Sequence, residues 1–282
     1  MSSYLNAYEI VAKVRRAVNE YSTGKMQATD TSGPFSNELI LDAIHDAQKF
    51  IFDLLFVRCP HLFLSSSDLT GSSSVYTLPS DFLKLRRFET SDKVKISLIS
   101  VDGRHLNDNG GSKYLYYRQG NTLVIDKDGL GDTCTIWYYT RPRRIDMGKV
   151  QTGGVLSMTL ATSARKEVDY YNNMIIEDIT ADFSSTISDY SAARVATIAA
   201  TAGTADYYGI VPELPEEFHH LISRRAIMIM KGYPQNTVPL VRTEYEMFKE
   251  DLVETIRSYV GDLDIGDVTP EDVFMDLEPL VP

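Results

Sequence analysis

The 282-residue chain has the length of one large or two medium domains, enough to bury a core without disulfides. Its 43% hydrophobic and 24% charged residues are the mix of an ordinary folded protein and exclude collagen-like, wholly disordered and membrane-spanning classes. A formal charge of −11, from 39 acids against 28 bases, has the wrong sign for a protein whose main task is to grip phosphate.

In chain order, apolar residues at Ala7, Val11, Val14, Val18 and Tyr21 fall at helical spacing and predict a first helix over 6–21. After a polar stretch with two glycines, Ser36 is placed to cap a second helix. Its stripe runs from Leu39 and Ile40 to Leu54 and Leu55 and stops before Pro60. A small-polar stretch, 65–74, comes next. The period then changes to short runs around Val75–Leu78, Leu83–Phe88 and Val94–Ile99, which read as antiparallel strands. Two runs flanking Gln119, Gly120 and Asn121 form a hairpin candidate, and Thr133–Thr140 closes the block. Residues 146–166 read as loop or weak strand. Strands are predicted at 174–179, 186–188, 194–199 and 207–210. After Pro212 and Pro215 an apolar helix starts at Glu216 and breaks near Gly232, and a last helix has Pro239 in its first turn.

The predicted fold is therefore α+β: a helical bundle of N- and C-terminal helices with a large antiparallel β region inserted and an extended C-terminal tail. Residues 1–72 and 213–261 are assigned to the bundle, 73–145 to one inserted β block, 146–212 to a second β module, and 262–282 to the tail. The ends of the inserted region are expected to lie close together. Two distant cysteines, Cys59 and Cys134, make no metal or disulfide framework and point to folding in a reducing cytosol. No signal peptide or membrane anchor is expected, since no basic and apolar leader or long apolar run is present.

The charge is uneven. The tail holds 7 acids and no base, and the 73–145 block holds 12 bases against 8 acids, so the chain without its tail is only −4. The basic clusters Lys84, Arg86, Arg87 and Arg141, Arg143, Arg144 sit near several tyrosines. Strict strand alternation would split them into a core row and an exposed row, which favours a protein interface over a nucleic-acid stacking surface.

Catalytic and metal motifs are weak. Glu216, Glu217, His219 and His220 lack the convergent spacing of a metal site, because adjacent helical histidines point about 100° apart. These histidines are expected to face solvent or a neighbouring subunit. Asp126–Asp132 superficially resembles a calcium loop, but Trp137 stands where its bidentate glutamate belongs, so a hairpin turn is the simpler reading. No nucleophile, dinucleotide or nucleotide motif occurs, and neither enzyme activity nor a cofactor is expected. In the tail, Thr269 can cap a short helix with Pro270 in its first position, and Val273, Phe274, Leu277 and Leu280 supply apolar anchors. Such a segment either folds back on its own bundle or orders on a partner.

Three stretches carry a resemblance. Ser74 to Phe82 (SVYTLPSDF), followed by Leu85 and Phe88, resembles the strand-opening segment of head-to-tail adaptor proteins of tailed bacteriophages. Pro212 to Phe218 (PELPEEF) is similar to the point where that family re-enters its helices. Asp169 to Met174 (DYYNNM), with Ile187 to Tyr190 (ISDY) and Arg194 to Thr197 (RVAT), resembles a β module common in phage virion proteins. Asn173 replaces a customary glycine there, and Ser191 and Ala192 replace an Asp-Gly turn. The resemblance implies a virion protein of the head–tail neck, made in the host bacterial cytoplasm. It further implies a ring of identical subunits, typically twelve, that binds the portal protein through its C-terminal segment. A tail nozzle or another neck protein would attach below, and viral DNA would pass without specific contact and without a membrane partner. A receptor- or glycan-binding fibre-attachment module on a helical stem is the alternative.

Overall fold

The computed structural model describes residues 5–18, 35–71, 74–100, 114–125, 133–232 and 239–260. They form a mixed α+β protein with four α-helices, mostly antiparallel sheets, and two compact units, 1–58 with 142–282 and 59–141.

In the first unit, α1 (Ala7–Ala17) starts where Asn6 caps it, the Asn6 Oδ1 accepting from the Glu9 amide at 3.0 Å. The same side chain donates through Nδ2 to Glu177 Oε2 at 2.5 Å, so one amide both caps the helix and ties it to a strand. Helix α1 buries Ile10, Val11 and Val14, and Arg15 reaches from its last turn to the Asn37 carboxamide at 2.6 Å. That contact fixes the start of α2 (Asn37–Arg58), whose buried face runs through Ile40, Ile44, Ala47, Ile51 and Leu55. A 3₁₀ turn at Glu216–Phe218 leads into α3 (His219–Met230), which packs against both earlier helices and against α4 (Pro239–Val260). The Arg225 guanidinium lies over the Phe50 ring at 4.5 Å, and Phe50 meets Phe248 at 6.4 Å.

The other regular elements described in this unit are mainly short strands. Strands β8 (Met147–Lys149), β11 (Ile175–Asp178), β12 (Phe183–Thr186) and β15 (Tyr207–Ile210) form a sheet in the order β12-β11-β15-β8. A second sheet has the order β13-β14-β10-β9, from β9 (Thr152–Gly154), β10 (Ser157–Thr159), β13 (Asp189–Tyr190) and β14 (Val195–Thr197). The region read from sequence as loop or weak strand thus holds three short strands. The strand predicted at 186–188 is misplaced: only Thr186 is strand, the last residue of β12, and 187–188 form the gap before β13. Gly209 lets α1 approach β15, since a Cβ there would lie 2.6 Å from Asn6 Oδ1. Asn173, at the position where the virion-module pattern has glycine, takes a left-handed backbone (φ 67°), a conformation asparagine tolerates.

The unit 59–141 contains β1 (Leu64–Thr70), β2 (Val75–Thr77), β3 (Phe82–Thr90), β4 (Ser97–Leu98), β5 (Leu115–Gln119), β6 (Thr122–Ile125) and β7 (Thr133–Thr140). They form sheets β1-β7-β3 and β2-β6-β5-β4 around one core that includes Tyr76, Phe82, Phe88, Leu123, Ile136 and Tyr138. Phe88 meets Tyr116 edge-on at 5.2 Å and Tyr76 at 6.0 Å. Contrary to the all-antiparallel reading, β4 pairs parallel to β5. The stretch read as small-polar between α2 and β2 is largely strand β1, whose serines alternate along an edge with only Leu69 buried. Leu64 at the start of β1 pairs with Tyr139 near the end of β7, so this unit enters and leaves side by side. No described helix is long and apolar enough to cross a membrane.

Candidate functional site

The basic side chains singled out from sequence separate into two environments. Lys84, Arg86, Arg87 and Arg141 are exposed, and none enters a core. Strict alternation fails for β3 because its register against β7 shifts twice, between Phe82 and Lys84 and between Leu85 and Arg87. Each shift inserts an extra residue, so Lys84 and Arg87 share a face with Tyr139 and Trp137, their partners across the strand.

That outer face is an amphipathic platform. Leu64 and Lys84 flank Tyr139, and Ser66 and Arg87 flank Trp137, which is 39% exposed. The indole Nε1 donates to Glu89 Oε1 at 3.0 Å and Arg87 Nε to Glu89 Oε2 at 2.6 Å, holding ring and guanidinium in place. A fixed Trp and Arg beside a Tyr on a solvated sheet are the composition of a protein-binding surface. Trp137 was not singled out from sequence, although the buried run Cys134, Ile136, Tyr138 in the same strand places it on the opposite face.

Arg143 and Arg144 are built inward. Arg143 is 6% exposed: Nε and Nη2 grip Glu213, with Nη2 at 2.6 Å from Oε1, while Nη1 donates to the Tyr170 and Asn172 carbonyls at 2.7 and 3.0 Å. Arg144 pairs with Asp42 at 2.7 Å, and its amide donates to the Tyr170 hydroxyl. The sequence offers both as interface candidates beside Arg86, Arg87 and Arg141, and does not say which bases are buried, because Glu213 and the Tyr170 turn are remote in the chain.

His219 corrects the expectation of an outward-facing histidine. It is 2% exposed; the Leu214 carbonyl 2.8 Å from Nε2 can only accept, so Nε2 carries the proton and Nδ1 accepts from the Leu5 amide at 3.3 Å. Burial lowers its pKa and keeps it neutral. Both ring nitrogens are committed to the backbone, which fits a structural histidine and not a ligand. His220 is exposed, and among the described residues no group of three or more His, Cys, Asp or Glu is set to hold a metal ion. Residues 126–132 of the calcium-like run and the tail residues Thr269, Pro270, Val273, Phe274, Leu277 and Leu280 lie outside the described residues.

Tyr190 of the virion-module pattern, and Tyr208 outside it, are internal fasteners. Tyr190 donates to the Arg165 carbonyl at 2.5 Å, and its ring meets Tyr171 edge-on at 4.8 Å. Tyr208 donates to Asp146 Oδ2 at 2.5 Å and accepts from the Ala161 amide. Burial raises the pKa of Asp146 from 3.8 to about 6, more than its hydrogen bonds from Tyr208, Ser163 and Met147 lower it. Between those two values the folded chain holds a proton that the unfolded chain releases. This carboxyl's contribution to stability therefore falls by about 3 kcal/mol as pH rises from 3.8 to 6, then levels. Urea unfolding of wild type and Asp146→Asn across this range is expected to give a stability difference that shifts against wild type by about that amount. A pH-independent difference would count against the assignment.

Compared with known proteins, residues 5–152 match a family model described as SU10 adaptor protein. The match covers just over half of the chain, from the residue before the α1 cap through the whole 59–141 unit and β8. No curated protein matches it.

Proposed function

Because the chain belongs to the SU10 adaptor protein family, a family of phage structural adaptors, we propose that it is a non-enzymatic ring component of the virion neck. The ring, twelve copies in the arrangement the resemblance implies, joins the portal protein to a tail nozzle or another neck protein and continues the DNA passage. The acidic tail docks on the portal. The exposed Trp137 platform, with Arg86, Arg87 and Arg141, meets tail or neighbouring subunits.

The family match over 5–152 carries this reading. It contains the adaptor-like SVYTLPSDF segment, which forms β2 and the start of β3. A body of only −4 outside the tail suits a passage that lets phosphate slide by. Native mass spectrometry of the chain mixed with purified portal rings tests it. A complex with ring stoichiometry is expected, whereas retention on a glycan array with no portal binding would replace it by the fibre-attachment reading.

A further inference from the structure

How one copy meets the next is open in the ring reading, and two surface features fit each other as socket and plug. The socket is a hollow of about 550 Å3 in which the half-buried Pro215 and Tyr259 supply the accessible apolar lining, over the buried Met174 and Leu214, together with carboxylates. Of those carboxylates, Glu213 is taken up by Arg143, whereas Glu216 and Glu217 make no ion pair among the described residues. A second hollow shares Glu217 and adds Asp251 and Glu254, and the nearby cation Arg224 is held by Asp251. The region thus has a surplus of negative charge around an apolar recess.

The plug is the turn after β3. Residues Ser91 to Lys95 are all exposed, and Val94, 48% exposed, stands between Lys93 and Lys95. Asp92 is the one acid in this tip, and Arg86 and Arg87 add positive charge at its base. The turn is preformed: Lys93 adopts the left-handed backbone at φ 62°, and its amide donates to the Thr90 carbonyl at 2.9 Å. The Thr90 amide and hydroxyl engage Val94 at 3.0 and 3.2 Å, respectively. Glu89 holds the Arg87 at its base at 2.6 Å. A rigid tip loses little freedom on docking. An exposed valine between two lysines on a strained turn matches an apolar recess bordered by two uncommitted glutamates in both polarity and charge.

We propose that the Lys93–Lys95 tip of one copy seats in the Glu216/Glu217 hollow of the next, with Val94 against the apolar lining and the lysines against the carboxylates. Plug and socket are different surfaces of the chain, so the contact is head-to-tail, the type that closes into rings. The proposal rests on the reading that the chain self-associates.

The test uses the full chain as an equal mixture of 14N- and 15N-labelled protein. Zero-length carbodiimide coupling is expected to join Lys93 or Lys95 to Glu216 or Glu217 in mixed-label peptides. In sedimentation experiments, K93E/K95E and E216K/E217K are each expected to weaken self-association by roughly 10- to 100-fold. Combining all four changes is expected to restore it to within about threefold, which also excludes misfolding as the cause. The proposal is overturned by assembly that ignores both reversals, by reversals that do not rescue each other, or by same-label links alone. It is also overturned if K93E/K95E abolishes DNA binding while leaving assembly intact. A wild-type chain that stays monomeric with and without portal rings overturns the ring reading as well, whereas normal rings insensitive to the reversals overturn this contact alone.

Discussion

A chain ending at Gly261 is expected to fold, remain soluble and fail completely to join portal-bearing heads to tails. Helix α4 buries Phe248, Leu252, Val253 and Ile256 before residue 260, so the helical core is complete before the tail begins. The missing segment carries 7 of the 39 acids and four apolar anchors, Val273, Phe274, Leu277 and Leu280. Each copy's contact would be individually weak, but a ring presents many at once, and the combined loss exceeds any single one. Phe274→Asp alone should therefore reduce joining by more than tenfold. Added salt should weaken joining, because it screens the attraction between the acids of this segment and a basic partner. The measurements are a thermal melt followed by circular dichroism and in vitro head–tail joining. Normal joining by the truncated chain would remove the tail from the docking role.

Arg143→Ala is expected to be the most damaging single substitution for stability, by about 3–5 kcal/mol in urea unfolding monitored on the helical signal. The guanidinium fastens the 142–146 segment to the Tyr170–Asn172 turn and to Glu213, just before the helices resume. Its removal strands Glu213 and takes a donor from two carbonyls. Arg143→Lys retains the charge but not the planar fork, and about 2 kcal/mol of loss is expected. In a double-mutant cycle with Glu213→Gln, the two losses should not add, because the pair acts as one unit. Strict additivity would show that the burial of Arg143, and not its pairing, carries the effect.

Helices α2 to α4 were legible because their stripes are long and apolar, whereas α1, read over 6–21, ends at Ala17 with Val18 as its C-cap. Asn37–Arg58, Glu216–Met230 and Pro239–Val260 lie within a residue or two of the segments read from spacing and proline positions. The hairpin around Gly120, with φ 58°, was legible for the same local reason. What escaped depends on distant partners. Strand β1 (LSSSDLT) has three serines, an aspartate and only one buried apolar residue, Leu69, and it exists because β7 supplies its hydrogen bonds. The extra residues in β3 depend on register with β7, and the burial of Arg143 depends on Glu213, 70 positions on. Asn6 reads as an ordinary cap until Glu177 is placed beside it. Of the candidate surface, the bases were visible as a cluster, but which faced outward was not.

The chain's path also has a consequence for synthesis on the ribosome. Helices α1 and α2 leave the exit tunnel about 160 residues before α3, against which both pack. At 5–20 residues per second, that is a delay of roughly 10–30 s with their apolar faces lacking native cover. The 59–141 unit is contiguous and can complete itself within that interval. Nascent chains stalled before residue 219 should therefore bind chaperones through α1 and α2 while already protecting the 59–141 unit from protease, so the interrupted unit closes last.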